Sequence, residues 1–351
     1  MKKILLIVLL GLNTMAYGQN LDELLKFIKA NPQKASVCLI ENGQTIVDFN
    51  SQQVMPLASA VKTIIAIEFA QQVAQSKINP NAKVALKELD HYYIPGTDGQ
   101  AHPNWIRSLG LKQSDSTSLL EVAKGMIKFS SNANTEYLQD LLGLEAINKN
   151  IKKLGLKSHQ PLYYFTAGAI MACLKPEGKN EQEWIAELKA MPEAAYRTKC
   201  ETMHRQLKND ITFRQRFSFA NLSFAIQQVW SDRLVGATTA NYAQLMEHIK
   251  NGKTFSPAVQ SVLESILEWP MANKANTEIF THLGQKGGST SFVLTDAFYA
   301  NTKKGESLAC AFFFNQLNVE EQKLVSNAFG AFEANILINA NFRKKLAEFL
   351  K

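Results

Sequence analysis

The strand signals of this chain lie at its two ends and the helical signals lie between them. Ala35 to Leu39 and Thr45 to Phe49 read as strands around Glu41-Asn42-Gly43-Gln44, where Asn-Gly accepts the positive φ of a tight hairpin. Far along the chain, Glu278 to His282, Ser291 to Asn301 and Ser307 to Asn315 read as three further strands, with Lys303-Lys304-Gly305 as the turn between the last two. A hairpin near one end, three strands near the other and helices between them predict an antiparallel sheet whose edge the N-terminal hairpin completes.

The helical pattern is strongest over Leu21 to Ala30, Ser59 to about Ala74, Ser118 to Phe129, Ala133 to Leu142, Thr239 to Lys250, Pro257 to Glu268 and Glu320 to Lys351. Lys77 to Ser116 is punctuated by Pro80, Pro95, Gly96, Gly99, Pro103 and Gly110 and reads as mostly irregular. Residues 175–233 carry charged helical segments such as Glu183 to Met191 and Ala194 to Leu207. This stretch reads as a helical insertion, because so short a segment without disulfides seldom supports its own core. The expected organisation is one domain over 19–351. Its all-α half spans about 56–235 and its sheet half spans about 20–55 and 236–351.

Met1-Lys2-Lys3, the apolar run Ile4 to Leu12 and the small residues around Ala16-Tyr17-Gly18 have the form of a secretory signal peptide, residues 1–18, cut after Gly18. The run is well short of the roughly 20 residues that span a bilayer, and no later stretch is long enough, so the expected product is exported, periplasmic or secreted, without stable membrane insertion. Lys+Arg 38 against Asp+Glu 31 gives +7, and removal of Lys2 and Lys3 leaves +5. That mild excess is not the footprint of a nucleic-acid binder. Cys38 and Cys310 sit in apolar strands and read as buried hydrophobes, while Cys173 and Cys200 flank a polar segment and either pair after export or stay free. No pair of histidines has the spacing of a zinc helix and no C-x-x-C occurs, so no metal and no cofactor is expected.

Ser59-Ala60-Val61-Lys62 puts a hydroxyl and an amine three positions apart on one face of a helix start. Burial in that apolar helix would lower the lysine pKa and make it a usable base for the serine. Taken alone, the same residues read more readily as a helix cap and a solvated first-turn lysine. Two further motifs in order change the balance: Ser130-x-Asn132 at a turn between helices, and Lys286-Gly287-Gly288 leading into a strand.

Together these three elements resemble the serine β-lactamase and penicillin-binding protein superfamily. Met126 to Asn134 is similar to the class A helix-turn around Ser-Asp-Asn, and Thr238 through Pro257 is similar to the paired helices before the Lys-Thr-Gly strand. The resemblance implies an α+β, β-lactamase/transpeptidase-like fold: a five-stranded antiparallel sheet flanked by N- and C-terminal helices, and an all-α half carrying the insertion. It implies Ser59 as nucleophile, Lys62 as proton acceptor, Ser130 as proton relay and Lys286 as the charge near the substrate carboxylate. Asn132 would hold the substrate amide, and the backbone amides of Ser59 and Ser289 would form the oxyanion hole beside Gly288.

Three positions depart from the family pattern. Ser131 stands where class A has Asp. Gly287 removes a hydroxyl that binds the substrate carboxylate, which Ser289 or Thr290 would have to supply. Lys157 to Gly168 contains no acid where class A carries its deacylating glutamate; Glu177, Glu181 and Glu183 are the nearest carboxylates along the chain and are wrongly spaced. His159 reads as a surface loop residue; the alternative is that it reaches the site and replaces that base. The resemblance therefore implies acylation of β-lactam, peptide or ester carbonyls. A penicillin-binding D,D-peptidase, and a binding or sensor module using the 175–233 insertion as a protein-partner surface, stand as alternatives to a turnover enzyme.

Overall fold

The structure, a computed structural model, describes residues 14–219 and 222–351. The expected signal segment lies outside them except for its last five residues, which belong to the helix Thr14–Ala30; that helix extends the one read from Leu21. Strand β1 (Ala35–Glu41) turns into β2 (Gln44–Phe49) through Asn42 at φ 52° and Gly43 at φ 80°, the hairpin geometry that Asn-Gly permits. Three two-residue or three-residue strands follow, β3 (Met55–Pro56), β4 (Lys83–Ala85) and β5 (Ser116–Ser118). After them come β6 (Gly236–Ala237), β7 (Phe280–Ser289), β8 (Leu294–Thr302) and β9 (Ser307–Phe314). The large sheet runs β2-β1-β9-β8-β7, all antiparallel, so the hairpin joins the C-terminal strands at β1 against β9.

Both faces of this sheet are covered, and the period of two in its strands sorts side chains between them. On β9, Leu308, Cys310, Phe312 and Phe314 pack under the helices Thr14–Ala30, Val319–Ile338 and Ala340–Phe349, while Ala309, Ala311 and Phe313 pack against the all-α half. The three phenylalanines are fully buried, as their core reading requires.

Arg343 of the last helix is also fully buried. Its Nε donates to Glu41 Oε1 at 2.8 Å, Nη1 to Ile336 O at 3.0 Å and Nη2 to Glu306 Oε1 at 2.7 Å, so one side chain ties the C-terminus to both the β1 end and the β8–β9 turn. Removing one partner of a buried ion pair strands the others. Arg343→Ala is therefore expected to lower unfolding free energy by about 3 kcal/mol, read from urea denaturation.

Two sequence expectations need correction. Lys286-Gly287-Gly288 does not lead into a strand but lies inside β7, which begins at Phe280 and runs to Ser289. The stretch read as mostly irregular contains the helix Ala101–Ser108. Pro103 is its third residue, where no intrahelical N–H bond is lost. The 175–233 stretch is helical as expected, with Glu181–Ala190, Glu193–Asn209 and Phe224–Asp232. Cys173 and Cys200 are unpaired, and Cys200 Sγ rests 3.7 Å from Met171 Sδ.

Candidate active site

The site forms where the all-α half meets the edge strand β7. Pro56 pairs with Gly236 in the small β3–β6 ribbon, and Leu57 continues that contact by donating its N–H to Val235 O. Ala58 then takes φ 44°, a left-handed conformation that costs an alanine energy and sharply redirects the chain. The 3₁₀ turn Ala58–Val61 and the helix Lys62–Ala74 follow, leaving Ser59 half-buried at the turn. No side-chain cap is present at this helix start, so the reading of Ser59 as a cap fails.

Lys62 is fully buried, which removes the solvated-lysine reading. Its Nζ donates to Ser130 O at 2.8 Å and Asn132 Oδ1 at 2.8 Å and lies 3.3 Å from Ser130 Oγ. Ser130 itself sits at φ 64°, after the π-type turn Gly125–Phe129, and this strained αL residue aims both its carbonyl and its hydroxyl at the amine. From the other side Lys286 Nζ donates to the same hydroxyl at 3.1 Å and to Gly287 O. One serine hydroxyl thus bridges two buried amines. Burial lowers the pKa of Lys62 well below the ordinary lysine value, and the neighbouring Lys286 charge lowers it further, against Asp98 and Glu136. Burial likewise brings Lys286 down to about 7, with Asp296 opposing.

Gly288 makes the contact between β7 and the Ser59 turn. A Cβ there would lie 2.3 Å from Ser59 N and 2.8 Å from Ala60 N and Leu57 O, so only glycine lets the strand close on the turn. Thr295 Oγ1 donates to Leu57 O at 2.9 Å and fixes the same junction from β8. Ser289 is exposed at the strand end. Thr290 is placed otherwise: its hydroxyl meets Ser231 Oγ at 2.7 Å and accepts from Phe292 N and Val293 N at 3.1 Å each, closing the β7–β8 turn. Of the two hydroxyls named as replacements for the one missing at Gly287, Thr290 is engaged and Ser289 is exposed.

Ser131 supports the Ser130–Asn132 turn. Fully buried, it accepts from Asn134 N at 3.2 Å and pairs with His102 Nδ1 at 2.9 Å, and burial holds that imidazole down at about 4 and hence neutral. Asn132 Nδ2 donates to Thr97 O at 3.2 Å. Asp98 accepts from Ala101 N at 3.2 Å, His102 N at 3.1 Å and Asn132 N at 3.4 Å, capping one helix and the start of another. Burial raises its pKa while the Lys62 charge lowers it. Neither Asp98 nor His102 was singled out in the sequence. Asp98, one residue after the Thr97 that holds Asn132, could be found only through the fold.

The missed carboxylate of greatest consequence is Glu136, on the helix Asn132–Leu142 and fully buried. Its Oε1 accepts from Thr166 N at 2.9 Å and Ala167 N at 3.3 Å, holding the loop that lacks an acid, and its Oε2 accepts from His204 Nδ1 at 2.7 Å. Glu177, Glu181 and Glu183 are exposed in the insertion, and Glu183 serves a capping box with Asn180. His159 is buried, not a surface residue: its ring stacks on Tyr242, Nδ1 pairs with Gln160 O at 2.6 Å and Nε2 with Tyr242 OH at 3.2 Å. Burial keeps it neutral with a pKa near 4, and both nitrogens are committed away from the Ser59 cluster.

Desolvation works against the charged form of His204, but hydrogen bonds and charges from Asp140 and Glu136 raise its pKa to about 9. A histidine raised above its unfolded value of about 6.5 contributes stability that is complete below that pH and is lost as pH climbs through 9. Urea unfolding at pH 6, 7.5 and 9.5 is expected to show that fall, of order 3 kcal/mol for a shift of this size. The same series in His204→Gln should be flatter.

Among the described residues one trio, Glu264, Glu268 and His282, brings metal-type donor atoms within 4.8 Å of one another. Glu268 Oε1 accepts from Tyr299 OH at 3.1 Å and pairs with His282 Nδ1 at 2.9 Å, and Glu264 Oε1 accepts from Gln260 Nε2 at 2.9 Å, so each member of the trio has a partner within the protein. No helix among the described residues is long and apolar enough to cross a membrane.

A five-stranded antiparallel sheet covered by terminal helices, with an all-α half packed on its other face, is the β-lactamase/transpeptidase-like fold. The chain belongs to the beta-lactamase enzyme family, whose model matches residues 19–331. Among solved structures it is similar to the β-lactamase of Sphaerobacter thermophilus (18% identity, TM-score 0.56, covering 92% of this chain and 98% of that one). It is also similar to PBP-A (17%, 0.51, 90% and 97%) and to a class A β-lactamase from Bacteroides cellulosilyticus (16%, 0.50, 90% and 99%). No curated protein matches the sequence. Family and fold together support a hydrolase of the serine β-lactamase type acting on a small molecule.

Proposed function

We propose that the protein is an exported serine hydrolase that forms an acyl-enzyme at Ser59 with β-lactam or related amide and ester carbonyls. The observation that carries this reading is the Ser130 hydroxyl held between the Lys62 and Lys286 amines, beside a glycine strand closed on Ser59. Lys62, on the same helical face as Ser59 and inclined by burial to be a free amine, accepts the Ser59 proton as Oγ attacks the carbonyl carbon. The N–H groups of Ser59 and Ser289 stabilise the resulting oxyanion, each donor contributing about 10²–10³ in rate. The Ser130 hydroxyl gives its proton to the departing nitrogen and regains one from Lys62. Lys286 and the exposed Ser289 hydroxyl receive the substrate carboxylate, and Asn132 receives its amide.

Hydrolysis of the ester so formed needs an activated water, and one observation favours a slow second half. Glu136 and Asp98, the carboxylates whose charge reaches Lys62, each accept three hydrogen bonds within the protein. Three of the roughly four acceptor positions of each carboxylate are thus already taken within the protein. This supports a penicillin-binding, D,D-peptidase-like behaviour over rapid β-lactam turnover.

Intact mass of the purified protein, followed over time with a penicillin and a cephalosporin and with peptide mapping, tests both halves. A lasting adduct on Ser59 is expected. Antibiotic consumed in many-fold excess would overturn the slow second half, and no adduct with either compound would overturn the β-lactam reading.

A further inference from the structure

One side chain of the 175–233 insertion, His204, packs against the helix that carries Asn132. His204, on the inserted helix Glu193–Asn209, lies 2% exposed against the helix that begins at Asn132. Its Nδ1 meets Glu136 Oε2 at 2.7 Å and its Nε2 faces Asp140 Oδ1 at 3.4 Å. Carboxylates on both ring nitrogens require a proton on each, so the geometry selects an imidazolium. Tyr164, from the acid-free loop, stacks on the ring with centroids 3.5 Å apart, and Tyr92 packs on it at 5.6 Å. Lys208 on the same helix and the Tyr92 hydroxyl both donate to Asp140. The charged groups facing His204 are thus two carboxylates and, beyond Asp140, one ammonium.

We propose that His204 is a positioning residue for the Ser59 reaction: its imidazolium holds Glu136 on the Thr166 and Ala167 amides and neutralises a buried carboxylate that would otherwise favour the ammonium form of Lys62. The inserted helix is then a working part of the site. Glu136 lies one helical turn beyond Asn132, whose Oδ1 accepts from Lys62, so a bare carboxylate at 136 would be felt at the amine. Asp98 and Lys286 are the other charges acting on Lys62, and neither touches His204.

This inference rests on the acyl-enzyme reading above, so its test includes a measurement that needs no reaction. In His204→Gln, lysine-selective ¹³Cε NMR is expected to show the Lys62 titration moved up by about one pH unit, and acylation by a penicillin at pH 7 to fall about tenfold. Glu136→Gln/His204→Gln removes the bare charge along with the cation and is expected to regain most of that loss, although it is less stable than the native protein. A purely structural His204 would leave the Lys62 titration where it is and make the double variant no faster than the single one; either result overturns the proposal. If the variants do not fold, ¹⁵N NMR of His204 in the native protein decides: both ring nitrogens protonated at pH 7 are expected, and a neutral ring overturns it. A shifted Lys62 titration with no adduct in the native protein would leave His204's action on Lys62 standing and defeat the acyl-enzyme reading alone.

Discussion

Ser59→Ala is expected to gain no mass from a penicillin under conditions that label the native protein, and Lys62→Ala to gain it at least about a hundredfold more slowly. The two effects have different origins. Ser59 carries the oxygen that becomes the ester, and the described hydroxyl nearest in role, Ser130, is engaged by both amines. Lys62 carries the lone pair. Its side chain is fully buried with Lys286 nearby, so the protonated form is penalised twice and the free amine is favoured. Acylation by the native protein should therefore fade as pH falls through the depressed Lys62 titration. In Lys62→Ala that acid limb should vanish along with most of the rate. Stopped-flow acylation of a chromogenic cephalosporin across pH 5–9 reads both quantities. An unaltered rate in Lys62→Ala would remove the amine from the role of base, and labelling of Ser59→Ala would remove Ser59 from that of nucleophile.

Much of this site was legible in the sequence because its chemistry is carried by short motifs. Ser59, Lys62, Ser130, Asn132 and Lys286 are spaced as a helix start, a turn and a strand require, and the fold brings Lys62, Ser130, Asn132 and Lys286 into hydrogen-bond contact beside the turn that carries Ser59. What escaped depended on tertiary placement. Glu136 and His204 look like polar residues of amphipathic surface helices, since nothing local says that helix Glu193–Asn209 will pack on helix Asn132–Leu142 and bury both. Asp98 and His102 lay in a segment whose prolines and glycines suggested disorder of pattern, while its role is to cap helices at the site. The extent of β7 escaped for a related reason, since the strand read over Glu278 to His282 runs on through Ser289. Gly284, Gly287 and Gly288 weaken the strand signal there, yet each is a point of close approach within an edge strand: to Tyr299 at Gly284, Asp296 at Gly287 and Ser59 at Gly288.

Gly288→Ala should cut acylation by at least about a hundredfold while leaving Ser59, Lys62, Ser130 and Lys286 chemically intact. An added methyl would sit 2.3 Å from Ser59 N and 2.8 Å from both Ala60 N and Leu57 O, all backbone atoms of a turn held by Thr295 and by the β3–β6 ribbon. No side chain can swing away, so either β7 retreats or the Ser59 turn unwinds. Both movements separate the Ser59 N–H from the strand that carries Ser289, and with them the two donors assigned to the oxyanion. Gly287→Ser provides the contrast. A Cβ at 287 meets Thr295 O at 3.1 Å and Asp296 Oδ1 at 3.2 Å, a tight fit that small shifts relieve, and the new hydroxyl restores the one that the family pattern carries there. It is expected to keep acylation within about threefold of native, well short of the ~2.7 kcal/mol that one lost oxyanion donor costs. Parallel acylation rates and thermal melts of the two variants decide: comparable losses at 287 and 288 would mean that general crowding of β7, not its closure on Ser59, governs the rate.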